Sequence, residues 1–232
     1  MIDDIIKSYM EIDEEHRLQS TLARRVEFLT TVETLTPFLP NNPDILDVGC
    51  GTGIYAIYLA KQGAKVTAVD LVPAHIRRLK ELVFQNSLSV SAYEGNATDL
   101  SKYSENSFDM VLCLGPLYHL INKKAQNKCI EECIRVTKPN GVIAFAYISP
   151  YSVFPCVLRG DLTRTSSELM ETSVYKGYKQ DKIEMRGDRA EMSDFPLYLN
   201  TVAGGLDCRD QTIGGFSFVV KIYALPVVEI IG

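Results

Sequence analysis

Two aspartates frame a glycine-rich turn in this chain. Asp47 stands two residues before Gly49, and Asp70 lies farther on, at the end of the next apolar run, Lys65-Val-Thr-Ala-Val-Asp70. Between them Gly49, Gly51 and Gly53 alternate with Cys50 and Thr52. Ile54 occupies the position where a Gly-x-Gly-x-x-Gly fingerprint carries its third glycine. Glycines let the backbone turn sharply and let a ligand come close to it. In a dinucleotide fold such a turn opens a helix whose N-terminus holds a pyrophosphate. A carboxylate at position 47 would repel that group and suits an ammonium instead. Asp70 sits where a carboxylate can accept the protons of both ribose hydroxyls. The set fits an adenosyl ligand with a cationic amino-acid tail, and S-adenosylmethionine is such a ligand.

Strands and helices must hold these groups in place. Ile45, Leu46 and Val48 suit a buried parallel strand over 44–48. A helix follows from Ile54 to Lys61, with Gly63 as a natural stop. Strand two covers 65–70. Pro73 opens a helix to Asn86 whose buried stripe is Ile76, Leu79 and Val83. Strands are expected at 89–94, 108–114 and 142–148, with a helix from Lys123 to Thr137 and a turn at Pro139-Asn-Gly141. This alternation predicts an α/β fold: a doubly wound, mostly parallel Rossmann-like sheet with right-handed crossovers and helices on both faces. Upstream, 4–17 and 20–36 read as helices, the second carrying Leu22, Val26 and Leu29 and ended by Pro37 and Pro40. Residues 1–40 are expected to form an N-terminal helical cap, either covering a ligand or simply packing. Residues 41–232 form the ligand-binding domain, with a variable region from 151.

The motifs resemble those of class I S-adenosylmethionine-dependent methyltransferases, in particular a subgroup of small bacterial members. Leu46-Asp-Val-Gly-Cys-Gly-Thr-Gly53 is similar to their first motif, and Ala92-Tyr-Glu-Gly-Asn-Ala-Thr-Asp-Leu100 to their adenine-contacting loop. Ser107-Phe-Asp-Met-Val-Leu-Cys-Leu-Gly-Pro-Leu-Tyr-His-Leu120 resembles their fourth strand and the loop after it. Arg135-Val-Thr-Lys-Pro-Asn-Gly-Val-Ile-Ala144 resembles the entry to the fifth, and Val26-Glu-Phe-Leu-Thr-Thr31 resembles the bacterial subgroup. The resemblance spans about residues 20–148.

It implies methyl transfer to a small-molecule acceptor and a cofactor set. Asp47 lies near the methionine ammonium. Gly49, Cys50, Gly51 and Gly53 frame the methionine portion. Asp70 takes the ribose hydroxyls, and Leu71 packs against the adenine. Asn96 and Ala97 meet the adenine edge, Asn96 standing where the family often has aspartate, with Asp99 as an alternative or a mere loop carboxylate. Leu114 and Gly115 lie beneath the transferred methyl. The donor is already activated, so the protein mainly positions the reactants and excludes water. If the acceptor must lose a proton, His119 is the base candidate, with Tyr118 beside it; the alternative is a structural pair. His16 and His75 are expected at the surface. Tyr9, Arg17, Arg24, Arg25 and Glu27 on the N-terminal helices could reach the cofactor or acceptor, or form a solvated face.

The family normally continues with a helix ending in Gly-Phe and a terminal hairpin, and that helix is not visible here. Residues 152–172 read as an amphipathic helix or lid, 176–194 as a charged loop, and 195–201 as an edge strand or last crossover. The tail pairs glycines at 204–205 and 214–215, with strand-like runs at 216–222 and 227–231. A divergent hairpin, a truncation and a shifted reading frame are all compatible with it.

Among the 232 residues the net charge is −5, without a long basic run, so no nucleic-acid partner is expected. No run of about eighteen apolar residues suggests a membrane span. The acidic N-terminus does not read as a secretory signal. The six cysteines contain no Cys-x-x-Cys motif, which suits free thiols in a reducing cytoplasm. Cys129 and Cys133, one helical turn apart, fall on an apolar stripe with Ala125 and Val136. They read as core, and no metal is expected. Two other function classes remain: a cofactor-binding protein without turnover, and a nicotinamide oxidoreductase, against which Asp47 and Ile54 both count. The sequence leaves the acceptor and the oligomeric state open.

Overall fold

Ile45, Leu46 and Val48 of β1 (Asp44–Val48) are fully buried, as a central parallel strand covered on both faces requires. The computed structural model describes residues 6, 22–120, 122–148, 207–209 and 218–224. Helix α1 (Leu22–Leu35) leads through a short 3-10 turn (Thr36–Phe38) into β1. There follow α2 (Ile54–Lys61), β2 (Lys65–Asp70), α3 (Pro73–Asn86), β3 (Val90–Glu94) and β4 (Phe108–Cys113). A second 3-10 turn (Pro116–Tyr118) precedes α4 (Lys123–Val136) and β5 (Thr137–Ile148). Strands β6 (Asp207–Arg209) and β7 (Phe218–Ala224) complete the sheet. Its order is β3-β2-β1-β4-β5-β7-β6. The first five strands are parallel, and β7 runs antiparallel to both β5 and β6.

The sheet divides the core in two. On one face Leu35 of α1, Ala56 and Leu59 of α2, and Ile76 and Leu79 of α3 cover Ile45, Ala68, Met110 and Leu112. On the other face Cys129, Ile130, Cys133 and Val136 of α4 cover Leu46, Val48, Val111 and Phe145. Helices therefore lie on both faces, as the alternating pattern predicts. The chain order reverses between β1 and β4, and in such sheets ligands bind outside the carboxyl ends of the strands at that switch point.

Several boundaries shift from the sequence reading, and two of the shifts have a clear physical reason. Helix α1 ends at Leu35, before Pro37, because a proline disfavours helical geometry in the residue before it and cannot donate a helix hydrogen bond. Strand β5 begins at Thr137 rather than 142, so the Pro139-Asn-Gly141 turn is a bulge within it. Thr137 pairs with Phe108 and Val142 with Met110. The surplus residues on β5 loop out, helped by Asn140 at φ 63°. In the tail, β6 and β7 form an antiparallel pair docked on β5. The expected segments 4–17 (apart from residue 6), 152–172, 176–194, 195–201 and 227–231 lie outside the described residues.

An ion-pair clamp fixes the long connection between β3 and β4. Glu132 on α4 is buried and accepts the Leu100 amide at 2.7 Å and Arg135 Nη2 at 2.9 Å. Arg135 also donates to the carbonyls of Leu100 and Tyr103, both at 2.9 Å. Arg135 holds the Glu132 carboxyl below its usual value of 4.5, with the Leu100 amide acting in the same direction. A carboxyl whose pKa is lower folded than unfolded stabilises the fold above the unfolded value. That stabilisation disappears as pH falls through the folded value. Melting temperature measured against pH should therefore drop below about 4.5, and Glu132→Gln should lower the melting temperature near neutrality while flattening part of that acid-side slope.

Candidate cofactor site

At the carboxyl end of β1 the chain leaves the sheet and enters α2 through Gly49–Gly53. Gly49 has φ 72°, and a Cβ there would lie 2.7 Å from the Pro116 ring. Gly53 has φ 86°, and a Cβ there would lie 2.4 Å from Leu79 Cδ1. Both positions thus require glycine because the turn is wedged between the loop after β4 and the side of α3. The left-handed backbone makes the same demand independently.

The direction of the turn's amides decides what it can bind. Gly49 and Cys50 both donate to the Val69 carbonyl, at 2.7 and 3.1 Å. Gly51 donates to Asp70 Oδ2 at 2.8 Å, and Gly53 to the Cys50 carbonyl at 2.9 Å. These four donors are engaged within the protein. A phosphate-cradling turn needs amides aimed outward.

The acidic pair is buried beside this turn. Asp70 accepts Gly51 on one oxygen, and Val72 N–H at 2.8 Å and His75 Nδ1 at 3.2 Å on the other. Oδ2 therefore keeps spare acceptor capacity, whereas two donors share Oδ1. Asp47 is only 2% exposed, and its Oδ2 has no hydrogen-bond partner among the described residues. Burial, and secondarily the Asp70 charge, raise its pKa from 3.8 to about 7, while the Ala56 amide opposes the shift. Burial and then the Asp47 and Asp70 charges push the Cys50 thiol well above its usual value, so Cys50 stays protonated beside them.

The remaining sequence candidates gather around the same edge. The loop after β3 is pinned when Gly95 N–H donates to the Asp70 carbonyl at 3.0 Å. Asn96 Oδ1 accepts both the amide and the hydroxyl of Thr98, each at 3.0 Å. What Asn96 has left to offer an adenine edge is therefore its Nδ2 donor. Ala97 packs against the α4-side core, and Asp99 is exposed and accepts the Ser101 amide. Leu71 is half-buried. Leu114 packs on the α2-side core, while Gly115 lies close to the Gly49 carbonyl and the Tyr118 hydroxyl. The Tyr118 and His119 rings lean on one another, centroids 4.5 Å apart, both half-buried.

His75 is not at the surface as expected from sequence: it is 6% exposed and bonded to Asp70. Its place four residues before the buried Leu79 sets it on the inner side of α3, a signal that was present in the sequence. Pro116 against Gly49 had no such signal. On α1, Phe28 stacks near Tyr55 and Tyr58 of α2, at 5.4 and 5.6 Å between centroids. Arg25 is exposed and Glu27 half-buried, while Arg24 lies on the same helix. Tyr9, His16 and Arg17 lie outside the described residues.

Comparison with known proteins agrees with this geometry. Residues 45–141 match the family described as "Methyltransferase domain". Ubiquinone biosynthesis O-methyltransferase of Xanthomonas oryzae pv. oryzae is 35% identical over 97 residues, which are 42% of this chain and 39% of that protein. The protein of the same name from Pseudomonas syringae pv. tomato is 35% identical over 107 residues, 45% of this chain and 44% of that one. The matches thus span less than half the length of these curated relatives. In fold, the chain is similar to N-methyltransferase NodS of Bradyrhizobium japonicum, solved with S-adenosyl-L-homocysteine. The TM-score is 0.64 at 15% identity, over 97% of this chain and 98% of that one. A SAM-dependent methyltransferase from Aquifex aeolicus gives 0.59 at 18% identity, over 95% and 98%. The sheet order, the acid-flanked turn and the matched segment make residues 45–141 similar to methyltransferase domains that use S-adenosylmethionine. The orphaned, buried Asp47 oxygen and the inward-turned amides fit that cofactor's cationic tail and would not fit a pyrophosphate.

Asp47 holds its proton more tightly folded than unfolded, so its contribution to stability falls as pH rises from 3.8 to about 7 and is constant above. Asp47→Asn should flatten that part of a melting-temperature profile. The ammonium group of the ligand favours the ionised carboxylate, so S-adenosylhomocysteine affinity, measured calorimetrically, should rise with pH up to about 7 in the parent and lose this dependence in Asp47→Asn. Gly53→Ala should destabilise the fold by about 1–3 kcal/mol through overpacking against Leu79, read by urea denaturation.

Proposed function

We propose that this chain transfers a methyl group from S-adenosylmethionine to a small-molecule acceptor. The observation that carries the reading is the turn itself. The Gly49, Cys50, Gly51 and Gly53 amides are engaged internally, while two buried carboxylates stand beside them. That arrangement offers negative charge where a dinucleotide site offers positive dipoles.

When bound, S-adenosylmethionine supplies a methyl group already activated on a sulfonium. Asp47 provides the charge opposite the amino-acid tail. Asp70, through the open capacity on Oδ2, orients the ribose. The Asn96 amide and Leu71 bound the adenine, and Leu114 and Gly115 floor the reacting end. The protein's chemical contribution is then alignment and a dry environment, in which dispersing charge is favoured. We assign to His119, whose ring leans on Tyr118, the role of taking a proton from an acceptor that must lose one. The net charge of −5 favours a small acceptor over a nucleic acid.

The test is a pair of ligand titrations. S-adenosylhomocysteine should bind and raise the melting temperature, and NAD should do neither. Asp70→Ala should weaken S-adenosylhomocysteine by about 1.5–3 kcal/mol, on the order of ten- to a hundredfold, as expected for loss of a charged hydrogen-bonding group. Stabilisation by NAD with none by S-adenosylhomocysteine would reject the assignment. Methyl transfer is read separately with isotopically labelled donor and a panel of small acceptors. Tight cofactor binding with no labelled product across the panel would favour a binding protein.

A further inference from the structure

We propose that Cys113, Cys129 and Cys133 form a three-thiolate site for a soft divalent cation of the zinc–cadmium type. Cys113 is the last residue of β4, and Cys129 and Cys133 lie one turn apart on α4. The sequence separates the first from the other two, and only the packing of α4 on the sheet brings them together. All three are fully buried, and their sulfurs lie within 4.8 Å of one another, Cys113 and Cys129 at 3.7 Å. With a metal–sulfur distance of about 2.3 Å, tetrahedral geometry places sulfurs roughly 3.8 Å apart. The trio therefore needs only a small contraction to close around an ion. The nearest carboxylate on the helix, Glu132, is occupied by Leu100, Arg135 and Lys128. Among the described residues no fourth histidine, cysteine or carboxylate joins the cluster. The described residues thus supply three ligands.

Binding exchanges three S–H bonds for three metal–sulfur bonds and releases three protons to solvent, with no change of oxidation state. Soft thiolates select thiophilic ions over calcium or magnesium. A divalent ion leaves one net negative charge in the core, where a monovalent ion would leave two, and buried uncompensated charge is costly. The site lies on the α4 face of β4, directly before Leu114 and Gly115, so an occupied site would brace the strand end that leads into the cofactor loop.

Cadmium is the probe, since its bonds to thiolate absorb in the ultraviolet. The full chain, reduced and carrying Cys156→Ser and Cys208→Ser, is titrated with cadmium chloride both as folded and on refolding from urea, because the three sulfurs are closed to solvent. The expected result is one tightly bound ion per chain, able to displace zinc from the same site, with the absorbance of three thiolates. Cys113→Ser should reduce that absorbance by about a third and weaken binding at least tenfold, about 1.4 kcal/mol. Cys133→Ser should do the same. Circular dichroism checks that each variant is folded. X-ray absorption on the cadmium-loaded parent counts the sulfur ligands without any further substitution at the site. A folded parent that takes up no cadmium under either protocol overturns the proposal. So does binding that Cys113→Ser leaves unchanged, or a sulfur count of one.

Discussion

The Asp70 carboxylate ties together the three segments that make the cofactor edge. It accepts the Gly51 amide from the turn after β1, the Val72 amide at the start of α3, and His75 one turn into that helix. A carboxylate at 8% exposure is tolerable only with such donors. In return, it draws the Gly51 amide inward, while the Val69 carbonyl takes those of Gly49 and Cys50. Asp47, buried a few residues upstream with an unpartnered oxygen, lacks that compensation. One acid is held by three donors, and the other keeps an unpartnered oxygen.

The rest of the fold serves this edge. The sheet's order reverses between β1 and β4, which opens the crevice, and helices on both faces supply the apolar cover. Pro116 and Leu79 press on the turn from either side, so its glycines answer to packing as much as to any ligand. On the far side, Glu132 and Arg135 reach across from α4 and hold the loop that continues from Asn96 and Ala97. This clamp holds the loop by its backbone, at the Leu100 amide and the Leu100 and Tyr103 carbonyls. It is built from ordinary helix-surface residues that happen to face inward.

Much of this was legible in the sequence, and the reasons are physical. Strand and helix periods are local, so β1 over Asp44–Val48, β2 over Lys65–Asp70 and α3 over Pro73–Asn86 follow from runs of apolar residues and a proline at a helix start. The glycine turn and its acids are near neighbours in the chain or end adjacent strands, and their spacing already distinguished a cationic ligand from a pyrophosphate. Boundaries shaped by pairing partners were less legible: the bulge that lets β5 start at Thr137 depends on its register with β4.

By its own pattern, the sequence determined the α/β alternation, the acid-flanked turn and the class of cofactor, because each rests on residue type at short spacing. The tertiary structure decided which polar groups are already satisfied. It turned His75 from a surface residue into a partner of Asp70, committed the Asn96 oxygen to Thr98, and left the Asp47 oxygen bare. It also carried Cys113 onto Cys129 and Cys133 across the β4–α4 interface. Hydrogen-bond satisfaction and long-range convergence belong to packing between elements, and no local spacing encodes them.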